Sequence, residues 1–120
     1  MSKPKVLQFI NSFHQGGSER QAVQLTQLLF EDGEFEVFIV CLNNEGVLRS
    51  EVEKLGFTDF PEYKLTSFFN ANFLKQARNC AKFIRQNNIE IVQTHDFYTN
   101  VFGMFAATLA GVKLKIASKR

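Results

Sequence analysis

The sequence predicts an α/β protein: a Rossmann-like open parallel sheet of about five strands, in the order 3-2-1-4-5, with helices on both faces. Three observations predict it. Short apolar or β-branched runs alternate with helical patterns along the whole chain. Gly, Asn, Asp or Pro separates one kind of segment from the next. At 120 residues the chain has room for one domain and buries roughly two-thirds of its unfolded surface. No repeat, low-complexity tract or internal linker divides it, so 1–120 reads as a single domain.

The elements follow in order. Residues 5–10 form a first strand with no turn residue inside it. The glycine pair Gly16-Gly17 comes next, and Ser18 with Gln21 three positions on matches a capping box that opens a helix. Ala22, Val23, Leu25, Leu28 and Leu29 recur at helical spacing, and Gly33 ends the helix in a left-handed cap. Residues 35–42, rich in β-branched and aromatic side chains, form the second strand. After the turn cluster at 43–46, a short amphipathic helix covers 47–55 and stops at Gly56. A short third strand is predicted over 57–60, closed by Pro61. Residues 62–71 have no clean period and read as a loop with an aromatic knot at Phe68-Phe69. Asn72 is placed to cap a helix over 73–87. A fourth strand runs over 89–95. The helix over 98–110 is apolar nearly all round, which predicts burial, and Gly111 caps it. A fifth strand covers 113–118.

Composition excludes several classes. Fourteen basic and twelve acidic residues leave a net charge of +2, too balanced to argue for nucleic acid. Phenylalanine is used 14 times and tryptophan never; most of these rings are expected in the core. Cys41 and Cys80 each fall in an apolar stretch and have no metal or redox spacing, so buried thiols in a reducing compartment are expected. The basic start at 1–5 is followed by an apolar run broken at Asn11, unlike a signal peptide. The longest apolar segment, 101–112, is interrupted by Thr108 and falls short of the roughly 20 residues that span a bilayer. The expectation is a cytoplasmic protein, or one held at a membrane surface. No Cys/His cluster has metal-ligand spacing, and no metal is expected. No G-x-S-x-G elbow is present, and Asn11-Ser12 stands where a phospho-receiver domain would carry its acidic pair.

Three constellations carry chemistry. A strand, a glycine turn and a helix start make an anion-binding arrangement, because the first helical N–H groups have no partner inside the helix. Gly16-Gly17 is neither G-x-G-x-x-G nor a Walker A loop, which disfavours an ordinary nicotinamide or ATP site; a tight turn with no ligand is the other reading. His95-Asp96 follows the fourth strand. His95 can donate to a sugar hydroxyl or a phosphate, or be a hydrogen-bonded structural residue. Asp96 can bind hydroxyls or cap the next helix. In such sheets ligands bind at the carboxyl ends of the strands where the order reverses, and both constellations converge there. His14, in the glycine loop, is a further candidate. Finally, Lys75, Arg78, Lys82 and Arg85 share one stripe of their helix, opposite Phe73, Ala77, Cys80 and Ile84. That stripe is either a face for anionic lipid or a solvated surface.

Lys5-Val6-Leu7-Gln8-Phe9-Ile10 followed by Gly16-Gly17-Ser18-Glu19-Arg20-Gln21, and then Ile89-Glu90-Ile91-Val92-Gln93-Thr94-His95-Asp96-Phe97, resemble two signatures of the group 1 (family 4) glycosyltransferases of the GT-B fold. Gln93 stands where many members have a first histidine. The resemblance covers essentially the whole chain. It implies transfer of a sugar from a nucleotide-sugar donor to an acceptor, with retention, without a bound metal and with no cofactor beyond the substrates. It also implies two Rossmann-like domains facing across a cleft, the amino-terminal one binding mainly the acceptor and the other the nucleotide. This chain then corresponds to most of the acceptor-side half of a longer enzyme and is inactive alone. Gly16, Gly17, Ser18 and Asp96 are the expected donor-diphosphate and acceptor contacts, and His95 the expected catalytic residue. A histidine that many members carry after the fifth strand falls at about 118–120, where Lys119 and Arg120 are the available basic residues. The expected acceptor is a cell-envelope lipid or polysaccharide, with peripheral membrane contact through Lys75, Arg78, Lys82 and Arg85 and none with nucleic acid. The alternatives are a stand-alone anion- or nucleotide-binding module and a peripheral membrane adaptor.

Overall fold

A computed structural model describes residues 3–14, 16–57, 60–65 and 71–117. Among them the elements are β1 (Lys5–Ile10), α1 (Gly17–Asp32), β2 (Glu36–Cys41), α2 (Arg49–Glu53), α3 (Ala71–Gln86), β3 (Ile91–Thr94), α4 (Phe97–Ala110) and β4 (Leu114–Ala117). All pairings are parallel, in the order β2-β1-β3-β4. The α/β class, the flanking helices and the order of these four strands match the sequence expectation.

The expected third strand is not formed among the described residues. Its place beside β2 is taken by a single parallel bridge between Cys41 and Glu62, in which Cys41 donates to the Pro61 carbonyl at 3.1 Å and Tyr63 donates to the Cys41 carbonyl at 2.9 Å. Pro61 has no N–H to extend a ladder. Among the described residues the sheet has four strands rather than five. Thr58, Asp59, and the Phe68-Phe69 pair lie outside the described residues.

Each face has its own core. Leu7, Phe9, Val40 and Val92 pack with α3 and α4 through Phe73, Ala77, Ile84, Phe102 and Ala106. Ile10, Ile39 and Cys41 pack with Ala22 and Val23 of α1 and Val52 of α2. Period-2 alternation along β1 sends Leu7 and Phe9 to one face and Gln8 and Ile10 to the other. Gly103 lets α4 lie close on the sheet: a Cβ there would sit 2.7 Å from Thr94 Cγ2 and 3.2 Å from the Phe9 ring. The helix is not buried all round as its composition predicts. Phe97 is 71 % exposed, and Phe105 and Leu109 are also turned outward, because α4 meets the sheet on one side and α3 on another.

Two caps differ from expectation. α1 starts at Gly17 with Gly16 as N-cap and no side-chain cap, so Ser18 makes no capping box. Asn72 lies within α3 and donates to the Lys64 carbonyl at 3.2 Å. The predicted caps at Gly33 and Gly111 are present, and both glycines are left-handed, with φ of 78° and 80°.

Candidate functional site

β1 and β3 are neighbours whose following helices lie on opposite faces of the sheet. Their carboxyl ends border the crevice where this class of sheet binds ligands. The loop after β1 runs from Asn11 to Gly16. Its backbone is clamped by the loop after β2: Phe13 donates to the Glu45 carbonyl at 2.9 Å, and Leu48 donates to the Phe13 carbonyl at 2.8 Å. Gly46 makes this approach possible. Its φ is 132°, and a Cβ there would run into the Phe13 carbonyl group and the His14 nitrogen.

Gly16 and Gly17 have different surroundings. Gly16 is extended, with φ −87° and ψ 163°. The three nearest atoms that a Cβ at Gly16 would meet belong to the Glu19 carboxyl group, whereas among the described residues nothing beyond its chain neighbours and its own helix backbone lies within 4 Å of a Cβ at Gly17. Ser12, buried at the end of β1, donates through Oγ to Glu19 Oε2 at 3.2 Å. The first-turn N–H groups of α1 take no side-chain cap and open toward the carboxyl end of the sheet. His14 is exposed, and its backbone N–H reaches Ser12 Oγ at 3.4 Å.

His95 is 2 % exposed. Its Nε2 lies 2.7 Å from Gln8 Oε1, and Gln8 Nε2 donates to Gln93 Oε1 at 2.8 Å. With the Gln8 amide nitrogen committed to Gln93, the network assigns the proton to His95 Nε2. A polar ladder thus joins β1 to the end of β3 inside the sheet face. Asp96 caps α4: its Oδ1 accepts from the Thr99 N–H at 2.8 Å, and Thr99 Oγ1 accepts from the N–H groups of both Asp96 and His95 at 3.1 Å. This is a reciprocal capping box.

The structure therefore brings Gly16, Gly17, Ser18, His14, His95 and Asp96 to one end of the sheet. Lys119 and Arg120 lie outside the described residues. The cations of α3 lie elsewhere. Arg85 donates to the Leu109 carbonyl at 2.7 Å, near the amino end of the sheet, and Arg78, Lys82, Arg85 and Leu109 line a shallow surface depression. Among the described residues, no group of three or more His, Cys, Asp or Glu side chains is placed to hold a metal ion. Among them, no helix is long and apolar enough to cross a membrane.

Residues 15–117 match Glycosyltransferase Family 4, nearly the full length of the chain. The chain belongs to this family. This family 4 domain also resembles three solved structures at identities that establish fold alone. It matches the apo form of the lipopolysaccharide outer core galactosyltransferase WaaB with TM-score 0.68 and 12% identity, over 94% of this chain and 32% of that one. It matches Acinetobacter baumannii MurG with TM-score 0.63 and 18% identity, over 94% and 34%. It matches the C-terminal domain of the PF1911 hydrogenase from Pyrococcus furiosus with TM-score 0.60 and 19% identity, over 99% and 95%. The family 4 domain thus spans about a third of the length of the first two chains. No curated protein sequence matches it significantly.

Ser12, Glu19 and Gly46 shape the family 4 loop through contacts that the local sequence pattern does not show. Gly46 carried a turn signal, but nothing in the local pattern showed that its backbone would meet Phe13. Glu19 stood in the helix start, where its partner Ser12 was hidden by the intervening loop.

Proposed function

We propose that this family 4 domain is the acceptor-side half of an enzyme that transfers a sugar from a nucleotide-sugar donor to a cell-envelope lipid or polysaccharide, with retention and without a metal. The observation that carries the proposal is the open N-terminus of α1 at Gly17, at the sheet's carboxyl end, in a chain of this family. The N–H groups there offset negative charge on the departing diphosphate, with no reorganisation needed at the moment of transfer. Ser18 and Asp96 border the same space, and His14, Lys119 and Arg120 are further candidates. His95 is buried and bonded to the equally buried Gln8, so its part is to hold the end of β3 in place beneath the acceptor or sugar hydroxyls. Resemblance in fold to a lipopolysaccharide galactosyltransferase supports an envelope acceptor.

The test is a panel of nucleotide-sugars with lipid and saccharide acceptors, using the full-length protein. Gly17→Val is expected to abolish transfer while the unfolding temperature stays within a few degrees. Retained turnover removes the loop from the mechanism. The 120-residue chain alone is expected to transfer no sugar, and turnover by it overturns the split-site reading. Turnover that chelator abolishes and a divalent cation restores overturns the metal-independent part.

A lipid acceptor implies contact with a membrane surface. α3 contains no acidic residue and α4 no charged residue. The exposed Lys75, Arg78, Lys82 and Arg85 suit anionic headgroups, each worth about 1 kcal/mol at such a surface. Binding to phosphatidylglycerol vesicles at low salt is expected, with loss on Arg78→Glu plus Lys82→Glu. Equal binding to neutral vesicles would remove this contact.

The same fold makes up nearly the whole of another solved chain, and the second reading is accordingly a stand-alone, non-catalytic anion- or nucleotide-binding module. Nucleotide binding with no transfer by the full-length protein would support it.

A further inference from the structure

Resting on the diphosphate reading of the loop, we infer that Glu19 is a positioning residue, that its carboxylate is the reason residue 16 is glycine, and that Gly17 alone is the ligand-facing member of the pair. Glycine is normally required where φ is positive or where another group approaches the backbone closely. The backbone at Gly16, with φ −87° and ψ 163°, is open to any residue. The close approach comes from one side chain: the three nearest atoms to a Cβ at Gly16 are Oε1, Cδ and Oε2 of Glu19.

That carboxylate is itself held. Ser12 Oγ donates to Oε2 at 3.2 Å, and the His14 N–H in turn reaches Ser12 Oγ at 3.4 Å. The arrangement ties the end of β1 to the first turn of α1 across the loop. It also places a negative group on the Gly16 side of the helix N-terminus, where it satisfies part of the helix's positive end. An incoming diphosphate is repelled from that side and has open approach over Gly17, where among the described residues nothing beyond its chain neighbours and its own helix backbone lies within 4 Å of a Cβ. The two glycines then do different work: Gly16 makes room for an internal brace, and Gly17 makes room for substrate.

A double-mutant cycle on the 120-residue chain tests the brace. Gly16→Ala must displace the Glu19 carboxylate from Ser12, and a lowering of the unfolding temperature by roughly 3–6 °C is expected. Glu19→Gln, which can still accept from Ser12, is expected to unfold close to the parent temperature. In a Glu19→Ala background the loss caused by Gly16→Ala should fall to half or less, the remainder reflecting alanine as a poorer N-cap. An equal loss in both backgrounds overturns the assignment.

Inorganic pyrophosphate, followed through backbone amide shifts at 17–19, tests the ligand-facing side. Gly17→Ala is expected to leave the unfolding temperature unchanged or raised and to weaken pyrophosphate binding at least tenfold. Gly16→Ala in the Glu19→Ala background is expected to change that binding less than threefold. Undiminished binding by Gly17→Ala overturns the ligand-facing assignment. Absence of any shift in the parent chain overturns that assignment together with the diphosphate reading, while the unfolding cycle still decides the brace.

Discussion

Gly46 shows at the scale of one residue how the site loop is held. Its φ of 132° lies where L side chains are strained, and its Cα faces the Phe13 carbonyl and the His14 nitrogen. These are backbone atoms that cannot swing aside. Gly46→Ala is therefore expected to cost about 2–3 kcal/mol in urea unfolding and to disturb the loop after β1. A loss below about 0.5 kcal/mol would mean that the two loops are not locked together. His95 and Asp96 are held with comparable completeness: the imidazole by Gln8, the carboxylate by the first turn of α4. Asp96 acts as the cap that its position after β3 allowed, and any binding by it has to use what the cap leaves free.

α4 has two unlike sides. On the inner side Phe102 is fully buried and meets the rings of Phe9, Tyr63 and Phe73 at centroid distances of 5.7, 5.9 and 5.6 Å. The contacts with Phe9 and Phe73 are edge-on, a geometry that adds to the burial term. Phe102→Ala is expected to lose about 3–5 kcal/mol in chemical denaturation. Phe97 meets Tyr98 on the exposed start of the same helix, and Phe97→Ala should change stability by no more than about 0.5 kcal/mol. If the two substitutions cost the same, α4 does not pack as described. The third strand shrinks to one bridge for a reason at this same scale. Beside β2 the segment reaches Pro61, which lacks the donor a second rung needs.

Across the whole molecule, polar chemistry sits inside both cores. Burial pushes the Cys41 thiol from 9.0 up to about 12, with the nearby Glu62 adding to the shift. It pushes Cys80 to about 12 as well, against an opposing hydrogen bond from Tyr63. Burial also raises Tyr63, with Cys80 adding to the rise. Each folded-state value lies above its unfolded one, so the unfolded chain releases these protons first as pH rises. Stability from these groups is complete below about pH 9, falls as pH climbs toward 12, and is insensitive to them near neutrality. Denaturant midpoints measured from pH 7 to 11 are expected to stay level and then decline above pH 9. Cys80→Ala should flatten part of that decline, and an unchanged slope would dissociate Cys80 from it. At neutral pH both thiols should resist a thiol reagent until the protein unfolds.

Much of the architecture was legible in consecutive residues. The apolar runs at Lys5–Ile10 and Ile91–Thr94 and the helical spacing from Ala22 onward specified strand and helix, because backbone geometry imposes its period on neighbours along the chain. Alternation of the two then implied a parallel sheet, and the glycine pair with the His95-Asp96 step marked its carboxyl end. Tertiary structure decided what those residues touch. His95 bonds to Gln8, 87 positions away in sequence. Gly46 is needed because Phe13 lies against it, and Gly16 because Glu19 folds back over it. Periodicity is a local property and can be read one turn at a time. The partner of a buried polar group is set only when distant segments are packed together, since desolvation then obliges each donor and acceptor to find the other.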